Sequence, residues 1–132
     1  MRFLLAQHYA GPVDVPPIWE WAPDDVTAHI DWQQRTNDDL VASGELVDAQ
    51  ALAGPEAVRI VRSTGPGSTQ IIDGPFPESK EFLAGYRIVD VEGEARAYEI
   101  AALTSACPGP GGAPMGIDIE VRQIMGAPDP EV

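Results

Sequence analysis

Only two of the 132 residues are histidines, His8 and His29, so any imidazole acid–base chemistry falls to one of them. His29 lies three residues after Val26, in a stretch where Val26, Ile30, Gln33, Asn37, Leu40 and Val41 recur with the helical period. It is therefore expected to face a sheet or its rim rather than bulk water, and is the first residue to consider as a base. A carboxylate stands at Asp73, where an apolar run meets Gly74-Pro75. The proline holds Gly74 out of the helical region and fixes its own φ, so Asp73 leaves the run at a defined angle. Each residue also has a plainer reading: His29 is a satisfied core histidine, and Asp73 caps its own turn. Cys107 has no base near it in sequence and reads as a free structural thiol. Gly109-Pro110-Gly111-Gly112 lacks the Lys-Ser/Thr ending and the feeding strand of a phosphate loop. Two histidines and scattered carboxylates offer no metal-ligand spacing, so neither a metal nor a cofactor is expected.

The elements that must position these residues can be read in order. Arg2 to Tyr9 is a short apolar run closed by Ala10-Gly11-Pro12, hence a first strand. Val13 to Pro23 carries three prolines together with Trp19 and Trp21. Two large apolar side chains on a loop suggest a flap over a cleft or, more simply, a plug at one end of the core. Pro23 suits a first helical turn, Asp24 and Asp25 suit its positive end, and Gly44 is placed to stop it, which predicts a helix over 23–43. Glu45 to Leu52 alternates weakly as a strand, and Ala57 to Val61 and Thr69 to Ile72 form two short runs around the turn Gly65-Pro66-Gly67. Tyr86 to Val91 is the next strand. Glu92 to Ser105 is predicted to be a second helix whose face carries Ala95, Tyr98, Glu99, Ala102 and Leu103, ended by the Pro/Gly run after Cys107. Ile117, Ile119 and Val121 alternate with polar residues as a last, half-exposed strand.

This order predicts an α+β fold, a ferredoxin-like two-layer sandwich with an antiparallel sheet and two helices on one face. One domain is expected over 1–126, with a flexible tail over 127–132. The uncovered sheet face needs a partner, and a homodimer packed sheet to sheet provides one. With 8 Lys plus Arg against 21 Asp plus Glu, the net charge is −13, a field that repels phosphate backbones and anionic membranes. Nucleic-acid and membrane partners are therefore not expected. A single cysteine excludes an internal disulfide and a multi-cysteine zinc site, and it suits a reducing cytoplasm. The apolar start Phe3-Leu4-Leu5-Ala6 stops at Gln7 and His8, short of an export or spanning segment, so a soluble cytoplasmic protein is expected.

Asp73-Gly74-Pro75-Phe76, Glu78-Ser79-Lys80-Glu81, Leu83, Gly85-Tyr86 and Val89-Asp90 resemble the signature of the YCII-related family, in its DGPF branch. Phe3-Leu4-Leu5, the helix carrying His29 and the closing Ile119-Glu120-Val121-Arg122 extend the resemblance over nearly the whole chain. It implies a small ferredoxin-like domain of the dimeric α+β-barrel kind and brings no single activity. In proteins resembling this one a helix histidine and a cleft aspartate have been proposed as a dyad, and the matching positions are His29 and Asp73. A carboxylate bonded to one ring nitrogen fixes the tautomer and leaves the other nitrogen as a base. Against that cleft His8, where relatives often show a tyrosine, the Tyr86 hydroxyl, Arg122 and the two tryptophans are candidate substrate contacts. Their plainer readings are a rim residue, a core tyrosine with a wet tip, a solvated arginine and a core plug.

Two functional classes follow. In the first the chain is a cofactor-free lyase or isomerase that moves a proton on a small organic molecule, with His29 as base and Asp73 orienting it; the related fold hosts lactone and chlorolactone chemistry. In the second it is a non-enzymatic dimeric module that binds a ligand or serves regulation, since DGPF-like proteins are often encoded beside extracytoplasmic-function sigma factors.

Overall fold

The computed structural model describes residues 1–10, 15, 16, 18–74 and 81–127. Residues 75–80, which hold the Pro75-Phe76 and Glu78-Ser79-Lys80 part of the DGPF-like block, and the expected tail beyond 127 lie outside the described residues. The elements are β1 (Arg2–Ala10), α1 (Pro23–Ala42), β2 (Leu46–Ala51), β3 (Arg59–Arg62), β4 (Gln70–Asp73), β5 (Glu81–Asp90), α2 (Glu94–Ser105) and β6 (Ile119–Gln123). Strands β2-β5-β1-β6 form one antiparallel sheet in that order. With β3 and β4 set aside, the order is βαββαβ with the first and third core strands central, the ferredoxin-like arrangement. The β3–β4 ribbon is a separate two-stranded sheet, paired from Arg59↔Asp73 to Arg62↔Gln70, inserted between β2 and β5.

Strand alternation decides which face the helices cover. Phe3 and Leu5 of β1 and Val89 of β5, with Val91 beyond it, point to the helix side, where they pack on Leu40 of α1 and on Ala97, Ile100 and Ala101 of α2. Leu46, Ile119 and Val121 close the margins of this core. α1 begins at Pro23 and ends as expected at Gly44. Its φ of +76° is the left-handed conformation that a Cβ disfavours, and the amides of Gly44 and Glu45 close the last turn on the carbonyls of Val41 and Leu40.

Two helical faces differ from the expectation. On α1, Ile30 and Val41 are exposed, and the inward face is Val26, His29, Gln33, Thr36, Asn37 and Leu40. On α2 the expected face is the outer one: Tyr98 and Leu103 are exposed, whereas Ala97, Ile100, Ala101 and Thr104 are buried. Apolar residues recur with helical period on both sides of this segment, and periodicity alone does not say which side meets the sheet. The small residues win because Ala97 and Ala101 let the helix approach the sheet closely. α2 also starts at Glu94, two residues later than expected, after an extended Gly93.

A bidentate ion pair ties the start of β2 to α2. Arg96 Nε and Nη2 donate to Glu45 Oε2 and Oε1, each at 2.9 Å, and Nη1 donates to Glu99 at 3.0 Å. These bonds, with a further one from the Ser43 hydroxyl, hold the Glu45 carboxyl below its ordinary pKa against the opposing effect of burial. A carboxyl with a depressed folded-state pKa stabilises the protein above its unfolded-state value, and that stabilisation is lost as pH falls through the folded-state value. Because Arg96 is partly exposed, the pair is worth about 1 kcal/mol. Glu45→Gln is expected to lower unfolding free energy by about that amount at pH 7 and to approach the wild type as pH falls through the lowered Glu45 pKa, measured by urea denaturation across pH. An equal loss above and below that pKa would show that the carboxylate charge is not what matters.

Candidate functional site

Along β1 and β5 the helix-facing positions change character. Phe3, Leu5 and Val89 fill the core, but the next positions of that register are Gln7 on β1 and Arg87 and Gly85 on β5. Gly85 lies against Gln7 and so close to β2 that a Cβ would stand 2.9 Å from the Gln50 carbonyl oxygen; only glycine lets the strands meet there. Above this polar end α1 presents His29, Gln33 and Asn37, and between helix and sheet lies a cavity of about 230 Å³. That is below the roughly 300 Å³ at which drug-sized pockets begin, so the space suits a small molecule.

His29 reaches this cavity from the second turn of α1 and is half-buried. Its Nδ1 lies 3.0 Å from the carbonyl oxygen of Pro108. A carbonyl only accepts, so Nδ1 carries the proton, and in the neutral ring the lone pair sits on Nε2. The chain around Pro108 is itself held: Pro108 bridges Pro114, the Gly109 amide donates to the Ala113 carbonyl, and the Gly111 amide donates to Asp25 of α1 at 3.0 Å. Trp21 packs edge-on against the imidazole with ring centroids 5.3 Å apart, and its indole N–H donates to the Pro16 carbonyl at 2.7 Å. A ring held on two sides keeps one orientation, which is what a positioned base requires.

At the floor of the cavity is Arg87, 7% exposed. Its Nε donates to Asn37 Oδ1 at 2.7 Å, Nη1 to the Thr104 hydroxyl at 2.6 Å, and Nη2 to Gln33 Oε1 at 2.6 Å and the Gln33 carbonyl at 3.3 Å. Burial lowers its pKa, yet a guanidinium stays charged at any physiological pH. Fully buried Cys107 lies nearby; burial raises its thiol pKa while Gln33 and Arg87 pull the other way.

The other expected site residues are dispersed. Asp73, at the end of β4, has a side chain 90% exposed that pairs with Arg59 at 3.2 Å; no described contact joins it to His29. His8 Nε2 donates to Glu120 Oε2 at 3.1 Å, and Arg122 leans on the same carboxylate at 3.5 Å. Glu120 stands opposite Ala6, so this cluster occupies the sheet face away from the helices. Tyr86 touches the cavity wall, but its hydroxyl donates to Asp48 at 3.1 Å, a bond that together with desolvation raises its pKa. Trp19 is 81% exposed and Trp21 alone of the pair meets His29.

Sequence reasoning overlooked Arg87. Its signal was nonetheless present: Arg87 is in phase with Val89 and Val91, so a strand buried on that side carries a charge at a core position. The Pro108 carbonyl had no comparable signal, because a backbone group in a Pro/Gly run announces no partner.

Fold and cavity together define a small ferredoxin-like α+β domain with a histidine and a buried arginine set in a polar pocket beneath its first helix. The model of the YCII-related domain matches residues 1–110, and the chain belongs to that family. A comparison with curated proteins finds no match.

The fixed tautomer can be checked directly. Imidazole ¹⁵N shifts of neutral His29 are expected to report a protonated Nδ1 and a bare Nε2. The reverse tautomer would show that the Pro108 carbonyl does not hold the ring.

Proposed function

We propose that this protein is a cofactor-free enzyme of the lyase or isomerase type, which moves a proton on a small organic molecule bound beneath α1, with His29 as the base. The observation that carries this reading is a half-buried imidazole on a cavity wall with its Nδ1 committed to a backbone carbonyl. The DGPF-like block supports the same reading through Asp73, which would act as the acid that orients His29 only by leaving Arg59. Titrating the His29 ring by NMR in the wild type and in Asp73→Asn separates the two orienting groups. An unchanged midpoint leaves the orientation to the Pro108 carbonyl, and a lowered midpoint shows that Asp73 stabilises the imidazolium.

Catalysis itself is tested by deuterium exchange at activated C–H bonds of small oxo acids and lactones in D₂O. The wild type is expected to exchange at least one of them, and His29→Gln to lose about 100-fold or more of that rate. Exchange undiminished in His29→Gln would remove the histidine from the mechanism, and none with any compound would favour a ligand-binding or regulatory module. A cytoplasmic location fits the buried, unpaired Cys107.

A homodimer belongs to the same proposal. Helices cover one face of the sheet, and Leu4, Ala6, Tyr86 and Ile88 share the other by register. A second copy packed on this face would cover Leu4 and Ile88. Sedimentation equilibrium is expected to give a dimer, and Ile88→Lys a folded monomer; a monomeric wild type would sink the idea.

A further inference from the structure

We infer that the ligand of the cavity is a small organic anion, its carboxylate or similar charged group received by the guanidinium of Arg87. This rests on the reading of the cavity as a ligand site and not on His29 acting as a base.

The case begins with a charge that the protein leaves unanswered. Arg87 is more than nine-tenths buried, and its four described acceptors are an asparagine oxygen, a threonine hydroxyl and two oxygens of Gln33, all neutral. Among the described residues no carboxylate lies within ion-pair distance of it, although the chain has 21 acidic residues to supply one. Burying a cation without a counter-charge is unfavourable, and a helix-to-sheet anchor of the same shape could be neutral. Cys107, a titratable group that acts on Arg87, does not answer the charge: the thiol is fully buried and the neutral form is favoured there.

The guanidinium is also positioned rather than merely trapped. Gln33 and Asn37 come from α1 and Thr104 from α2, so the fork is fixed from two helices while Arg87 itself lines the cavity. A guanidinium has five N–H donors, and the four described hydrogen bonds leave one Nη1 donor without an acceptor among the described residues. That one N–H can donate a single charge-assisted hydrogen bond to a carboxylate oxygen, which a neutral ligand would receive without the charge. His29 lines the same cavity, which would place a base and an anion anchor around one small molecule. The net charge of −13 sharpens the choice, because an anion entering this chain needs a local cation, and Arg87 is the one Lys or Arg among the described residues lining the cavity.

The test uses the full chain, ¹⁵N-labelled, in chloride-free buffer, titrated with propionate and separately with the isosteric, neutral propionamide. Propionate is expected to shift the amides of Gly85, Arg87 and Thr104 and the Arg87 Nε–H signal, with propionamide leaving them in place. Arg87→Gln should weaken propionate binding at least about tenfold, and Arg87→Lys should retain part of it. If Arg87→Gln does not fold, the comparison of the two ligands on the wild type, with Arg87→Lys, still decides. Equal shifts by acid and amide, no shift by either, or propionate shifts confined to exposed Arg35 and Arg122 would each overturn the anion site. Propionamide binding in the cavity without propionate would leave the cavity a ligand site and remove Arg87 as its anchor. Propionate binding in a protein that exchanges no C–H deuterium would keep the anion site and retire the enzyme reading.

Discussion

The interaction on which the rest depends is the set of hydrogen bonds around the Arg87 guanidinium. It joins the central strand β5 to both helices at once, through Gln33 and Asn37 on one side and Thr104 on the other. An apolar side chain at this position would extend the core formed by Val89 and Val91 and draw α1 down onto the sheet. A buried cation instead demands polar partners and keeps them apart, so the same residue ends the core and floors the cavity.

The second constraint comes from the backbone. After α2 the Pro/Gly run turns back beneath the first turns of α1, fixed by the Pro108–Pro114 bridge and by Asp25 accepting the Gly111 amide. Its Pro108 carbonyl then fixes the tautomer of His29. A rigid carbonyl selects the tautomer without adding a charge, whereas a carboxylate in the same place would also stabilise the imidazolium and raise its pKa.

The charged groups outside the cavity divide by face. His8, Glu120 and Arg122 share the open face of the sheet, and Tyr86 donates to Asp48 by the register that puts Asp48 opposite Ile88. The β3–β4 ribbon carries Asp73 and Arg59 at its end nearest the sheet connections and leaves Val61 and Ile71, paired across the ribbon, exposed. The polar groups under α1 are buried or half-buried, whereas Glu120 and Arg122 on the other face of the sheet are exposed.

The sequence by itself determined the order of elements, the bounds of α1, the hairpin around Gly65 and the ferredoxin-like class, because each rests on local chemistry: proline at a helix start, glycine at its end, alternation along strands. It also placed His29 on the inward face of α1. It could not choose the buried side of α2, where Ala97 and Ile100 compete with Tyr98 and Leu103 on equal periodicity and only contact with the sheet decides. Nor could it reveal which groups gather around His29 and Arg87. Those partners come from Gln33 and Asn37 on α1, Thr104 on α2 and a backbone carbonyl at Pro108, and only packing two helices on one sheet brings them together. Tertiary structure decided the site because hydrogen bonding acts over about 3 Å of space, whatever the separation along the chain.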